Sequence, residues 1–455
     1  MTLLIKNGTI VTSTECYTAD LEAVDGVITR IGKDLSAPGA QVVDATGLLV
    51  LPGAIDAHTH LAMPFGGTVS ADDYFTGTRA AACGGVTTVF DYPMQRKGKG
   101  LVETVQSRLD MAAPQACVDF AFHCIITDLN GGSLLDEFAD AVAFGVPSFK
   151  CFLVYKKEGM MVDDATLIRV LLKAKEVGAI TNLHAENPDV IDMLITQFRQ
   201  EGKLSPWYHY MSRPEYVEAE ADKRAVHWAK SVDAPLYIVH MADKEGLEAA
   251  VAAKLSGAPV YIETCPQYLE FTCDVYQRPD GRNFVCSPPI KAQESQDALW
   301  AAIRNGTIDT VATDHCPFQS HEKDWGKDDF TKIPNGCAGI ENLYPYMLSA
   351  ANEGKLSFSR AVELCSTNPA RIFGCARKGS LTVGKDADIV LYDPKKTFTV
   401  SVDNMHSNYD HTIWEGKTLH GYPVQTYVRG QLVYDDGEFV GQPGYGRYVR
   451  RLPGR

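Results

Sequence analysis

Apolar and polar positions alternate in short runs at both ends of the chain. Through the middle they give way to a slower rhythm of apolar runs and helix-periodic stretches. The first fifty residues divide into LLIKNGTIVT, ADLEAVDGVITRIG and AQVVDATGLLVLPG, short strands punctuated by Asn7-Gly8 and Asp25-Gly26, dipeptides that favour hairpin turns. The same texture returns in GSLTVGKDADIVLYDP, KTFTV and VQTYVRGQLVYDDGEFVG, with Arg429-Gly430 and Asp436-Gly437 as turns. Two β-rich ends around a long middle predict one smaller β-sandwich domain built from residues 1–51 and 379–440, since chain termini often lie close together. The remaining tail, residues 441–455, carries four arginines among Gly, Pro and Tyr and reads as an extended arm.

Residues 52–378 alternate apolar runs with longer amphipathic segments, the pattern of repeated βα units around a parallel sheet. The predicted strands are AIDAHTH, VTTVFDY, VDFAFHCII, VPSFKCFLV, AITNLH, APLYIVH, APVYIETC and IDTVATD; helices between them include ADDYFTGTRAAACG, LVETVQSRLDMAA, DATLIRVLLKAKEVG and EGLEAAVAAKLSG. Eight strands in this span predict an α/β fold, a (β/α)8 TIM-like barrel with its active site at the carboxyl ends of the strands. An open doubly wound sheet is the alternative, but no GxGxxG follows the first strand.

Composition narrows the classes. A chain of 455 residues, 45% hydrophobic and 22% charged, is an ordinary globular protein. A net charge of −14 opposes binding to nucleic acid or to anionic membrane surfaces. The twelve cysteines form no CxxC pair, and MTLLIKNGTIVT has neither a basic leader nor a long apolar core, so the expectation is a cytoplasmic protein with reduced thiols and no transmembrane segment.

The candidate chemistry sits at the predicted strand ends. His58 and His60, one residue apart in an extended strand, project to one side as a pair of metal ligands. Lys150 lies in PSFKCFLVY, His184 and His240 end the fifth and sixth strands, and Asp314 ends the eighth. A barrel gathers all six at one mouth. Lys150 stands among apolar and aromatic neighbours, where a buried ammonium lowers its pKa and becomes a free amine. Such an amine can add CO2 to give a carbamate able to bridge two cations.

HTH in GAIDAHTH, Lys150, His184 in LHAEN, His240 in IVHMA and Asp314 in ATDHCPF resemble the ligand set of the cyclic amidohydrolases. MPFGGT, ETCPQYL, CSPPIK and KDDFTKIPNG resemble the hydantoinase and dihydropyrimidinase family within them. The resemblance runs over nearly the whole chain. It implies two divalent metal ions, usually zinc, bridged by N6-carboxylated Lys150 and a hydroxide. His58, His60 and Asp314 would serve the more buried ion, and His184 and His240 the more exposed one. It further implies substrate binding by Tyr155, Ser287 and Asn335, the last two through their backbones, with Asp314 and Tyr155 as catalytic groups. The implied reaction is hydrolysis of the cyclic amide of 5-substituted hydantoins or dihydropyrimidines to N-carbamoyl amino acids, in a homotetramer or dimer.

Two departures mark this chain. Ala62, two places after His60, cannot pair with a substrate carboxylate, and Asn187-Pro188 stands where Asn-Gly is more usual. Met63, Phe65, Cys151, Phe152 and the Gly159-Met160 stretch are expected to wall the ring substituent. Three other readings stay open on the residues: an allantoinase-like ureide hydrolase, a single-metal deaminase of the same fold, and a non-catalytic scaffold.

Overall fold

The computed structural model describes residues 1–454. Eight strands of the middle region are Ala54–Thr59, Val86–Asp91, Asp119–Phe122, Ser148–Phe152, Ile180–His184, Leu236–Ile238, Val260–Thr264 and Thr310–Val311. All the pairings along this run are parallel, including a short hand-over in which Cys124–Ile125 continues the third strand to meet the fourth. The ring closes where Thr59 bridges His315 and His60 N donates to His315 O at 2.8 Å. Asp56 reinforces the seam by accepting from Thr313 N at 3.1 Å and Thr313 Oγ1 at 2.6 Å.

These strands are buried almost throughout, which is why they read as continuous apolar runs. Their inward residues Ile55, Phe90, Ala121, Tyr237 and Ala312 pack with Phe373 as a separate core inside the ring. The outward residues pack against helices Tyr74–Cys83, Leu101–Ala112, Asp164–Glu176 and Lys244–Leu255, the four read from the sequence.

Both chain ends build one nine-stranded sheet, ordered Glu438–Phe439, Gln431–Asp435, Thr418–Val428, Ile389–Thr399, Leu49–Pro52, Thr2–Val11, Cys16–Val24 and Val27–Gly32, with Gln41–Asp44 also on Thr2–Val11. The sheet curls until Val27 bridges Asp386, enclosing Leu3, Ile5, Leu21, Ile28, Ile389 and Tyr427. Gly53 alone separates this sheet from the first barrel strand, because a Cβ there would overlap the Thr87 side chain.

Three of the four dipeptide turns join adjacent antiparallel strands, at Asp25-Gly26, Arg429-Gly430 and Asp436-Gly437. Asn7-Gly8 does not. It lies inside Thr2–Val11 as a bulge, with Asn7 at φ 64° and its N–H donating to Asp20 Oδ1 at 2.9 Å. The left-handed backbone that Asn favours serves a bulge as well as a hairpin.

The tail runs extended across the base of its own barrel. Phe120 N donates to Arg447 O, Val449 N to Phe120 O and Leu452 N to Gly374 O. Arg451 is buried over the Phe90 ring, at 4.9 Å, and donates to Phe122 O and to Ser148 Oγ.

Candidate active site

All six predicted ligands converge at the carboxyl ends of the strands. His58 and His60 present Nε2 atoms 3.2 and 3.0 Å from the same oxygen, Asp314 Oδ1. The His58 and His240 rings stand 5.4 Å apart and those of His184 and His240 4.5 Å apart. Lys150 points between them, its Nζ 4.9 Å from the Tyr92 ring centroid and 5.0 Å from that of Phe152. His240 and Asp314 lie just beyond their strands with φ of 42° and 52°, and Tyr155 has φ 66°. Non-glycine residues in this region are strained, and such strain gathers at functional sites.

Carboxylates that the sequence reading did not single out orient the histidines. Glu263 Oε1 lies 2.8 Å from His58 Nδ1 and also accepts His240 N at 2.9 Å, while Oε2 accepts the Tyr237 hydroxyl at 2.7 Å. With Glu263 accepting on both oxygens, His58 carries its proton on Nδ1 and keeps the Nε2 lone pair for the pocket. Glu186 Oε2 lies 2.8 Å from His184 Nε2, which leaves Nδ1 of that ring for the pocket. Burial would raise the Glu186 carboxyl, but Arg213, 3.3 Å away, and His184 outweigh it and hold its pKa down to about 2. Each carboxylate had a signal: Glu263 interrupts the apolar run of the seventh strand, and Glu186 stands two residues after His184.

The donor set fits divalent metal ions. Burial, then Lys150, drives the His58 pKa well below its ordinary value, and burial, then His184, does the same to His240, so both rings are neutral. Burial would raise the Asp314 carboxyl, but His58 and His60 bring its pKa down to about 2, so it is ionised. His58 Nε2, His60 Nδ1, His240 Nδ1 and Lys150 Nζ are buried without any hydrogen-bond partner. The neutral His58 and His240 rings, an ionised carboxylate and an unmatched amine are the kinds of donor a divalent cation requires. Lys150 is wholly buried, and burial pulls its pKa from 10.5 to about 8.

The pocket over these groups is also lined by Met63, Phe65, Phe152, Tyr155, Met160, Ser287 and Asn335. Met63, Phe152 and Met160 pack with Tyr92 and Ile125 as one apolar wall. Cys151 is a correction. Strand alternation turns it away from Lys150 and Phe152 into the outer core. Ala62 likewise lies outside the lining, holding Asp72 O through its N–H. Asn187-Pro188 starts the helix Pro188–Gln200, with Asn187 Oδ1 capping Val190 N at 3.2 Å and proline in the first turn. Asn335 Nδ2 donates to Ser287 Oγ at 2.9 Å, and both residues line the pocket. Burial, then Glu186, raises the Tyr155 pKa, and its hydroxyl stays protonated.

The family model of the amidohydrolase family matches residues 49–433. D-hydantoinase of Ralstonia pickettii is 42% identical over 457 residues, covering 99% of this chain and 99% of its own. D-hydantoinase of Geobacillus stearothermophilus is 41% identical over 457 residues, 99% of this chain and 97% of its own. The crystal structure of dihydropyrimidinase from Brevibacillus agri NCHU1002 superposes with a TM-score of 0.97 at 42% identity and covers 100% of both chains. Full-length agreement of sequence, barrel and sheet has one consequence: the chain belongs to the hydantoinase and dihydropyrimidinase family of amidohydrolases, hydrolases that act on cyclic amides.

Proposed function

We propose that this chain hydrolyses the ring amide of 5-substituted hydantoins and dihydropyrimidines, giving N-carbamoyl amino acids. The observation that carries the reading is the unpartnered, fully buried Lys150 amine ringed by four histidines and Asp314. His58, His60 and Asp314 would hold one divalent ion and His184 and His240 a second, with Lys150, carboxylated on Nζ, shared between them; zinc suits this N/O donor set. When bound, the pair supplies Lewis acidity and hydroxide near neutral pH.

The chain's own residues do the rest. Asp314, ionised and lining the pocket, accepts the proton of the attacking water and returns it to the ring nitrogen as the C–N bond breaks. Tyr155 donates its hydroxyl to the carbonyl oxygen as charge develops there. The backbones of Ser287 and Asn335 hold the ring's amide edge. Met63, Phe65, Phe152 and Met160 exclude water around the C5 substituent.

The same reading places the enzyme in the cytoplasm as a homotetramer or dimer. All twelve cysteines are free, and among the described residues no helix is long and apolar enough to cross a membrane.

Turnover of hydantoin, 5-phenylhydantoin, dihydrouracil and allantoin by zinc-loaded protein tests the assignment. The expected products come from the first three. Turnover of allantoin alone would move the assignment to a different ureide, and no turnover of any would reject it.

A further inference from the structure

Two triads of buried carboxylates lie away from the pocket. Asp119, Asp386 and Asp388 close around Lys378, whose Nζ is 2.7 Å from Asp388 and 3.0 Å from Asp386 and also meets Asp119, and Arg429 contacts Asp119 as well. With Arg377, which pairs with Asp386, three cations match the three carboxylates.

Glu218, Asp222 and Asp243 are not matched in this way. They are 2%, 1% and 0% exposed and offer oxygens within 4.8 Å of one another. Glu218 Oε1 accepts Ala242 N at 2.9 Å, and Oε2 faces Lys291 Nζ at 3.2 Å. Asp243 Oδ1 caps the helix Lys244–Leu255 by accepting Gly246 N at 2.8 Å. Asp222 comes in from a different element, the helix Glu215–Val232, and neither of its oxygens has a partner; Asp243 Oδ2 has none either. The two unpartnered carboxyls meet over Gly246, where a Cβ would stand 2.5 Å from Asp222 Oδ2 and 2.6 Å from Asp243 Oδ2. Only a glycine leaves that space open. A buried carboxylate with no hydrogen bond is too unfavourable to persist bare, so it holds either a proton or a cation.

We propose that Glu218, Asp222 and Asp243 bind one hard divalent cation of the Ca2+ or Mg2+ class, a structural site behind the catalytic pocket. An all-oxygen donor set suits such ions and not zinc. Three carboxylates less the Lys291 ammonium leave two negative charges, which one divalent ion cancels. Sequence neighbours of the triad, Lys223, Lys244 and Glu245, line a surface pocket with Glu215, Glu248 and Glu294, where carboxylates outnumber ammonium groups and favour cations.

The ion braces both turns behind the second proposed zinc. Asp243 follows His240 by three residues, and Glu218 holds Ala242 between them. On the other side Lys291 Nζ donates to Arg213 O at 3.0 Å, and Arg213 holds Glu186, the partner of His184. The donors are separate from those of the pocket, so the proposal stands apart from the substrate reading.

The test uses full-length zinc-loaded protein stripped of Ca2+ and Mg2+, with CaCl2 as the probe because Ca2+ competes poorly for imidazole sites. Calcium is expected to raise the melting temperature by at least about 2 °C, saturating at one equivalent, and Asp222→Asn is expected to abolish the rise with zinc content unchanged. Should Asp222→Asn fail to fold, crystals of the unaltered protein soaked in MnCl2 decide: anomalous density between the three carboxylates supports the site. No calcium shift with no such density overturns it. A melting temperature that falls between pH 6 and 8 regardless of calcium would assign shared protons in place of the ion.

Discussion

Replacing Lys150 with methionine separates what the lysine does for the reaction from what it costs the fold. In the metal-free protein the amine is wholly buried and unpartnered, with a pKa of about 8 against 10.5 in open chain. That gap corresponds to roughly 3 kcal/mol of destabilisation at neutral pH. The fold binds this proton more weakly than the unfolded chain, so the penalty is complete below pH 8 and fades as pH rises toward 10.5. Methionine has a similar length and no charge to bury. Metal-free Lys150→Met is therefore expected to be more stable than the unaltered metal-free protein by up to about 3 kcal/mol at pH 7.5, by urea denaturation, while losing turnover and metal. The same pKa makes about a fifth of the amine free base at pH 7.4, against roughly a thousandth for an ordinary lysine. Reconstitution with zinc should accordingly depend on dissolved CO2 and quicken as pH rises toward 8. Equal or lower stability of metal-free Lys150→Met, or equally fast reconstitution in CO2-free buffer, would refute the reasoning.

Tyr155→Phe removes one hydroxyl from the pocket, and kcat should fall about 10²- to 10³-fold with KM little changed; a loss under threefold would show that the hydroxyl does not meet the developing charge. Glu263→Gln replaces the carboxyl group that fixes the His58 tautomer, so zinc affinity, measured by chelator competition, should weaken about 10- to 100-fold. Deleting residues 446–455 strips the backbone bonds of Phe120, Val449 and Leu452 from the barrel base, and calorimetry should show the melting temperature fall by several degrees, roughly 4 °C or more.

The barrel was legible because parallel strands covered on both faces leave an unbroken apolar run, and eight such runs stand in the sequence where eight strands stand in the structure. The convergence of His58, His60, Lys150, His184, His240 and Asp314 followed from that, since a barrel brings every strand end to one mouth. What escaped was set by tertiary context. Asn7-Gly8 has the chemistry of a hairpin turn, yet Leu4 and Ile10 on either side belong to one strand, and only the partner strand decides that the residues bulge. Cys151 was one residue out of phase with the pocket, an error of face and not of element. Glu186 and Glu263 went unread because a carboxylate in an apolar run shows its purpose only once the histidine it serves is seen beside it.

The backbone at the mouth holds a different lesson. Tyr155, His240 and Asp314 adopt left-handed conformations without being glycine, each just past the end of a barrel strand, where the chain must turn sharply and still aim a side chain inward. At the same mouth lie the unpartnered atoms of His58, His60, Lys150 and His240, so strain and unmet hydrogen bonding gather there. The core below, where Ile55, Phe90, Tyr237 and Phe373 interlock, has none of this strain and holds the ring against it. The two ends of one barrel thus divide the work. The base supplies the stability that lets the mouth keep six ionisable groups in a geometry that none of them would adopt alone.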